Sequence, residues 1–199
     1  RSARLPIDRA FSMQGFGTVV TGTLVWGAVR VDDELVLLPG DRRVRVRGVQ
    51  VHGKKQTEAV AGERTALNLS GVEVGEIARG QTLTVPGALS VTRRLDAFID
   101  LLESAKPLKH GARVRFHHGT AEVLGRVSLA GMDTAVLEPG RRAPGRIRLE
   151  APVALTRGDR FVLRAYSPPL TIGGGEVVDP DPPRAGVRTS GARARFDAL

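Results

Sequence analysis

Gly15-Phe16-Gly17-Thr18-Val19-Val20-Thr21-Gly22-Thr23 is the stretch that decides the fold. Its Thr and Val are β-branched and favour extended backbone. Three glycines at this density mark bulges or bends of the kind a small closed barrel needs. The same pattern extends downstream. Trp26-Gly27 reads as a turn, Val29 to Leu38 as strand broken at Asp32-Asp33, and Pro39-Gly40-Asp41 as a hairpin. Val44, Arg45, Val46 and Arg47 alternate with period two; the apolar phase then moves to Val49 and Val51, which puts a bulge at Gly48. Arg64 to Leu69 is a strand with Arg64, Ala66 and Asn68 on one side and Thr65, Leu67 and Leu69 on the other. Gly80 to Val85 adds one more, and Pro86-Gly87 ends the block.

A second block follows. Arg94 to Leu102 fits a helical period as well as a strand, whereas Arg113 to His117 alternate cleanly. Leu124 to Leu129, Ala135 to Leu137, Arg146 to Leu149 and Phe161 to Ala165 read as strands, with turns at Pro139-Gly140, Pro144-Gly145 and Gly158-Asp159. The expected fold is all-β: two consecutive β-barrels, residues 1–88 and 89–180. Residues 181–199 are expected to be a basic linker into an absent C-terminal region. There Pro182-Pro183, Gly186 and Gly191 stand among Arg184, Arg188, Arg193 and Arg195. The chain opens at Arg1 rather than Met, as expected of a piece of something longer.

Composition narrows the function. Among 199 residues, 30 are basic and 21 acidic, a net charge of +9, and the lysines are only Lys54, Lys55, Lys106 and Lys109. So strong an arginine bias suits phosphate or carboxylate partners; GC-rich codons would produce it too. Aromatic content of 4% is low for a protein that stacks unpaired bases. With no cysteine, disulfides, thiol nucleophiles and cysteine zinc sites are excluded. No run of about 18 apolar residues predicts a membrane span, and no signal peptide is visible.

No catalytic constellation stands out. Gly48-Val-Gln-Val-His-Gly53-Lys54-Lys55 comes close to a P-loop, but Lys55 occupies the position where Ser or Thr holds magnesium, and no helix pattern follows. Gly173-Gly174-Gly175 reads as a bend or bulge rather than a phosphate cradle, because no helix follows it either. His117 and His118 point to opposite sides of one strand and make a poor metal pair, and Asn68-Leu69-Ser70 is a chance sequon. Asp8-Arg9, adjacent charges between apolar neighbours, is the pair that stands apart, although an exposed ion pair on a strand edge would look the same.

Leu5-Pro6-Ile7, a charged residue, Phe11 and then Gly15-Phe-Gly-Thr-Val-Val-Thr-Gly22 resemble the start of the second domain of translational GTPases such as elongation factor Tu. Ala61-Gly-Glu-Arg-Thr-Ala-Leu-Asn-Leu69, Ile77-Ala-Arg-Gly-Gln-Thr-Leu83 and Pro86-Gly87 follow in the same order. Ile7-Asp-Arg-Ala-Phe11 and Val44-Arg-Val-Arg-Gly-Val-Gln-Val-His52 are most similar to the selenocysteine-specific elongation factors (SelB). Pro107 to Gly111, His118 to Ala121, Arg160 to Arg164 and Thr171 to Gly175 carry the resemblance into the third domain, so that it spans about residues 4–180.

The resemblance implies two barrels and resolves Arg94 to Leu102 as strand. It implies that the second-domain barrel holds the aminoacylated 3′ end of selenocysteinyl-tRNA for delivery to the ribosome. By motif, the residues facing the selenocysteine are Asp8, Arg9 and Arg64. A selenol is ionised at neutral pH, whereas a cysteine thiol near 8.5 is mostly neutral, so arginines suit the anion. Asp8 would orient one arginine or meet the α-amino group. No catalytic residue, metal or cofactor is expected in these barrels. GTP and magnesium belong to an absent N-terminal GTPase domain, and mRNA-hairpin binding to an absent C-terminal one. A cytoplasmic, membrane-free location is expected. Two other readings stay open: a barrel module of a general translational GTPase, and an oligonucleotide-binding or structural connector barrel.

Overall fold

The computed structural model describes residues 1–131, 136–187 and 190–198. The chain divides into two compact units, Arg1–Val91 with Gly119–Ala121, and Thr92–His118 with Glu122–Leu199. Both are built from strands, and among the described residues no helix is long and apolar enough to cross a membrane.

The first unit contains β1 (Arg4–Met13), β2 (Gly17–Thr23), β3 (Ala28–Arg30), β4 (Glu34–Leu38), β5 (Arg42–Val51), β6 (Lys54–Gln56), β7 (Glu58–Val60), β8 (Arg64–Ser70) and β9 (Thr82–Thr84). Strands pair in the order β4-β9-β1-β2-β8-β5, and β4 pairs again with β5, which closes a six-stranded barrel; β6 extends the far end of β5. Period-two alternation sends Leu5, Ile7, Val20, Val46, Leu67 and Leu83 inward, where they are fully buried. The expected bulge at Gly48 is present, as the register between β5 and β8 shifts between Val46 and Gly48. That shift lets Val44 and Val46 on one side of it, and Val49 and Val51 on the other, all face the core.

The second unit contains β10 (Ser90–Leu101), β11 (Leu108–Lys109), β12 (Arg113–His118), β13 (Ala121–Leu129), β14 (Val136–Leu137), β15 (Arg142–Leu155), β16 (Arg160–Ala165) and β17 (Thr171–Asp179). Its barrel closes in the order β10-β15-β13-β12-β16-β17. The segment from Arg94 is strand, within β10. Ala135, expected in a strand, lies outside the described residues.

Two local expectations differ from the structure. Pro144-Gly145 is no turn; it lies inside the long strand β15, with Gly145 opposite Leu129. A Cβ there would stand 3.1 Å from the Ser128 carbonyl and from Ile99, so glycine serves close packing, and Pro144 still accepts from Ala130 N at 3.0 Å. Gly173 to Gly175 are likewise mid-strand, between β10 and β16. A Cβ at Gly173 would overlap the Asp100 carbonyl, one at Gly174 the Phe161 carbonyl, and one at Gly175 the Phe98 carbonyl.

The segment expected to be a linker is folded onto the second barrel. Arg146, 1% exposed, donates from Nε to Asp96 Oδ1 at 2.6 Å and from Nη1 to the carbonyls of Pro183 at 2.8 Å and Ala185 at 2.7 Å. Arg94 holds the Pro182 carbonyl at 2.8 and 3.0 Å. The chain then forms helix α1 (Ser190–Asp197), from which Arg195 pairs with Asp96 while Phe196 packs on Phe98 with ring centroids 6.3 Å apart. A composition rich in Pro, Gly and Arg conceals this, because the counter-charge, Asp96, is nearly a hundred residues upstream in β10. Arg188 lies outside the described residues.

Gly175→Ala is expected to destabilise the fold by about 1–3 kcal/mol through overpacking against backbone that cannot yield, read as a lower urea midpoint; an unchanged midpoint removes the close-contact account. Asp96→Ala strands a buried guanidinium, at a cost of about 3–5 kcal/mol. Amide exchange across residues 182–187 and 190–198 is then expected to speed up, and unchanged protection there would contradict the clamp.

Candidate functional site

The site starts from a bulge. Ile7 pairs with Gly22 and Arg9 with Thr21, so Asp8 is the extra residue on β1. Gly22 makes room for it, since a Cβ there would overlap the Pro6 carbonyl oxygen. Thr21 stands on β2 beside the bulge. On β8, Ala66 pairs with Thr21 and Arg64 with Thr23. Three consecutive strands therefore bring Asp8, Thr21 and Arg64 to one outer face of the first barrel.

These side chains are joined. Arg64 grips the Asp8 carboxylate with both terminal nitrogens, Nη1 to Oδ2 and Nη2 to Oδ1 at 3.1 Å, and Thr21 Oγ1 donates to Oδ1 at 2.8 Å. The Arg64 hydrogen bonds hold the Asp8 carboxyl below its ordinary range, against a smaller opposing effect of burial; Thr21 and the charges of Arg64 and Arg9 add to the lowering. Asp8 in turn raises the pKa of Arg64. The Asp8 side chain is 22% exposed and that of Arg64 53%, so water screens the pair and its contribution to stability is modest.

The arrangement differs from two free arginines converging on one anion. Arg64 spends its charge on Asp8. Arg9 is exposed, and among the described residues its side chain has no ion-pair or hydrogen-bond partner. The trio therefore carries one net positive charge, and Arg9 bears it. The Asp8 carboxylate is engaged by Arg64 and Thr21.

A cleft of about 270 Å³ opens on the same face. Phe11, Met13, Phe16 and Val19 form its apolar wall, and Gln50 and Asn68 are among its polar residues. Neither Arg9 nor Arg64 lines it; the charged trio stands at its margin, two residues along β8 from Ala66, which does. Phe16 is 43% exposed and Met13 40%, unusual for side chains of this size. They are displayed by a turn in which Gly15 and Gly17 take φ of +79° and +77°, a region where a side chain is strained. The sequence reading used Phe11 and Phe16 only as landmarks. The available signal was an aromatic residue held between two turn glycines. Among the described residues no cluster of three His, Cys, Asp or Glu side chains could hold a metal ion.

The Asp8 carboxyl is expected to titrate below the free-peptide value near 3.9 in carbon-detected NMR, and to return toward it in Arg64→Ala. Because the folded pKa is the depressed one, the pair's contribution is full above the unfolded value and disappears as pH falls through the folded value. Titration of Asp8 at the ordinary value in the unmodified chain would refute the ion pair.

Comparison with known proteins gives a consistent answer. Residues 17–84 match the family model for elongation factor Tu domain 2, and residues 95–184 that for the selenocysteine-specific elongation factor, beta-barrel domain. Asp8 and Arg9 precede the matched segment, and Arg64 lies inside it. The chain is 44% identical over 178 residues to the selenocysteine-specific elongation factor of Desulfomicrobium baculatum, covering 89% of this chain and 28% of that protein. It is 36% identical over 206 residues to its counterpart in Escherichia coli (strain K12), covering 99% and 31%. Elongation factor Tu 2 of Streptomyces avermitilis is 34% identical, with 87% and 45% covered. A crystal structure of the bacterial selenocysteine-specific elongation factor EF-Sec superposes with a TM-score of 0.77 at 30% identity, covering 91% of this chain and 28% of that one. The chain thus spans less than a third of the selenocysteine-specific relatives. It belongs to the selenocysteine-specific elongation factor family, of which it carries the two β-barrel domains.

Proposed function

We propose that the first barrel holds the aminoacylated 3′ end of selenocysteinyl-tRNA for delivery to the ribosome, in the cytoplasm. In this reading it works beside a GTPase domain and an mRNA-hairpin-binding domain that the relatives' additional length accommodates; GTP and magnesium belong to the former. The observation that carries the reading is the unpaired Arg9 beside the Asp8–Arg64 fork, at the margin of a cleft with an apolar wall and polar residues. A nucleoside is such a group, flat and apolar in its faces with polar edges. Its seating in the cleft would bring an esterified amino acid to the trio.

The selectivity follows from charge. Selenolate is an anion at neutral pH, while a seryl hydroxyl is neutral. A unit charge pair at 4 Å is worth about 4 kcal/mol at an effective dielectric of 20, before desolvation is subtracted. A third of that gives about tenfold preference for the selenocysteinyl form. Arg9 supplies the free charge. Arg64, held by the Asp8 carboxylate that Thr21 in turn anchors, is fixed as a hydrogen-bond donor at the rim.

In the full-length factor, Arg9→Ala is expected to weaken selenocysteinyl-tRNA binding by about 1–3 kcal/mol, the range for a hydrogen bond to a charged group, and to leave seryl-tRNA binding nearly unchanged. A salt titration with both tRNAs makes the measurement. Equal weakening of both, with a shallower salt dependence, would mean that Arg9 holds phosphate; the chain would then act as a translation-factor barrel without selenium selectivity.

A further inference from the structure

Met13 ends β1 and is 40% exposed, in the apolar wall of the cleft beside the charged trio. Strand pairing accounts for the exposure. Phe11 and Met13 are two residues apart on β1 and share its outer face. Phe11 stands opposite Val19 on β2, whereas Met13 stands opposite Gly17, which has no side chain to cover it. Val19 in turn stands opposite Asn68 on β8, so Phe11, Val19 and Asn68 form a row across three strands, and all three line the cleft. Met13 occupies the end of that wall nearer the turn. Its backbone is fixed there, because its carbonyl accepts from Phe16 N at 3.0 Å.

A thioether in this position brings chemistry that Leu or Ile would not. The chain has two sulfur atoms, in Met13 and Met132, and no cysteine; Met132 lies outside the described residues. A thioether needs no ionised neighbour to react with hydrogen peroxide. A sulfur lone pair attacks one peroxide oxygen, the O–O bond breaks and an S–O bond forms. The proton on the transferred oxygen passes to the departing one, which leaves as water. Sulfur gives up two electrons and the peroxide takes them. The product, methionine sulfoxide, is polar and chiral, and sulfoxide reductases reverse the change. In this cleft the new oxygen would stand in one wall with Phe11, Phe16 and Val19, whose side chains donate no hydrogen bond.

We propose that Met13 is a reversible oxidation site, at which hydrogen peroxide lowers the affinity of the cleft for its occupant and sulfoxide reduction restores it. This regulation presupposes the cleft as the seat of a nucleoside, as proposed above, and makes its occupancy depend on the oxidation state of one sulfur.

The test uses the 199-residue chain, treated with hydrogen peroxide and then with catalase, and adenosine as the nucleoside probe in an NMR titration. The tryptic peptide spanning 10–30 has Met13 as its single sulfur, so its mass reports oxidation there. That peptide is expected to gain one oxygen, and the dissociation constant for adenosine to rise about fivefold, close to the loss of one methylene group's burial. Treatment with both sulfoxide reductases, one for each epimer, should restore the original value. Met13→Leu, whatever its own starting affinity, should bind equally before and after peroxide. Met13→Gln, untreated, should bind as weakly as the oxidised chain. An unchanged dissociation constant with Met13 fully oxidised overturns the proposal and leaves the nucleoside reading standing, as does a Met13 that resists peroxide while Met132 reacts. An equal loss on treating Met13→Leu overturns it too, by assigning the effect to Met132. Failure of the untreated chain to bind adenosine overturns both.

Discussion

Between Ile7 and Arg9, β1 holds one residue more than β2 can pair with, and the candidate site follows from that mismatch. An unpaired residue at a bulge is re-aimed relative to the regular alternation, here so that the Asp8 carboxylate reaches Thr21 and Arg64 on neighbouring strands. The bulge is sterically possible because Gly22 has no side chain where β2 passes the Pro6 carbonyl. A chain of causes thus runs from one missing Cβ, through a backbone irregularity, to the orientation of a guanidinium on the third strand. The barrel gives this arrangement rigidity, since β1, β2 and β8 are interior members of a closed ring and their backbones have no alternative partners.

Electrostatics at the site separate two roles that the residue types alone do not distinguish. Both arginines are permanently charged, yet one is committed internally. The fork between Arg64 and Asp8 is bidentate and therefore directional, which suits it to presenting a donor in a set position. Arg9 is one residue along the chain from the same carboxylate and keeps its charge for something else. With both side chains of the fork partly in water, such a pair contributes more to geometry than to stability.

Much of the fold was legible in the sequence because β-branched alternation, turn glycines and Pro-Gly pairs act locally. Gly48 illustrates this: the apolar phase jump around it could be read directly, and the ladder shifts register there. Reading failed where the reason for a residue lies on a distant strand. Pro144-Gly145 looks like a turn by composition, and only the neighbouring Ser128 and Ile99 explain why glycine is required inside a strand. The terminal segment read as a linker for the same reason, its counter-charge being far upstream. At the site, the identities of Asp8, Arg9 and Arg64 were visible as a pattern. The pairing that neutralises Arg64, and the cleft beside it, were not, since both depend on how β1, β2 and β8 are laid side by side.

The clamp around Asp96 bears on tether length. A flexible basic tail leaving the barrel after residue 180 would give anything joined to it a wide search volume. With the carbonyls of Pro182, Pro183 and Ala185 held by Arg94 and Arg146, and α1 held through Arg195 and Phe196, much of that slack is removed. A segment attached beyond α1 starts from a fixed point on the second barrel, and its effective concentration near that barrel is set by whatever linker follows the helix rather than by the arginine-rich stretch before it.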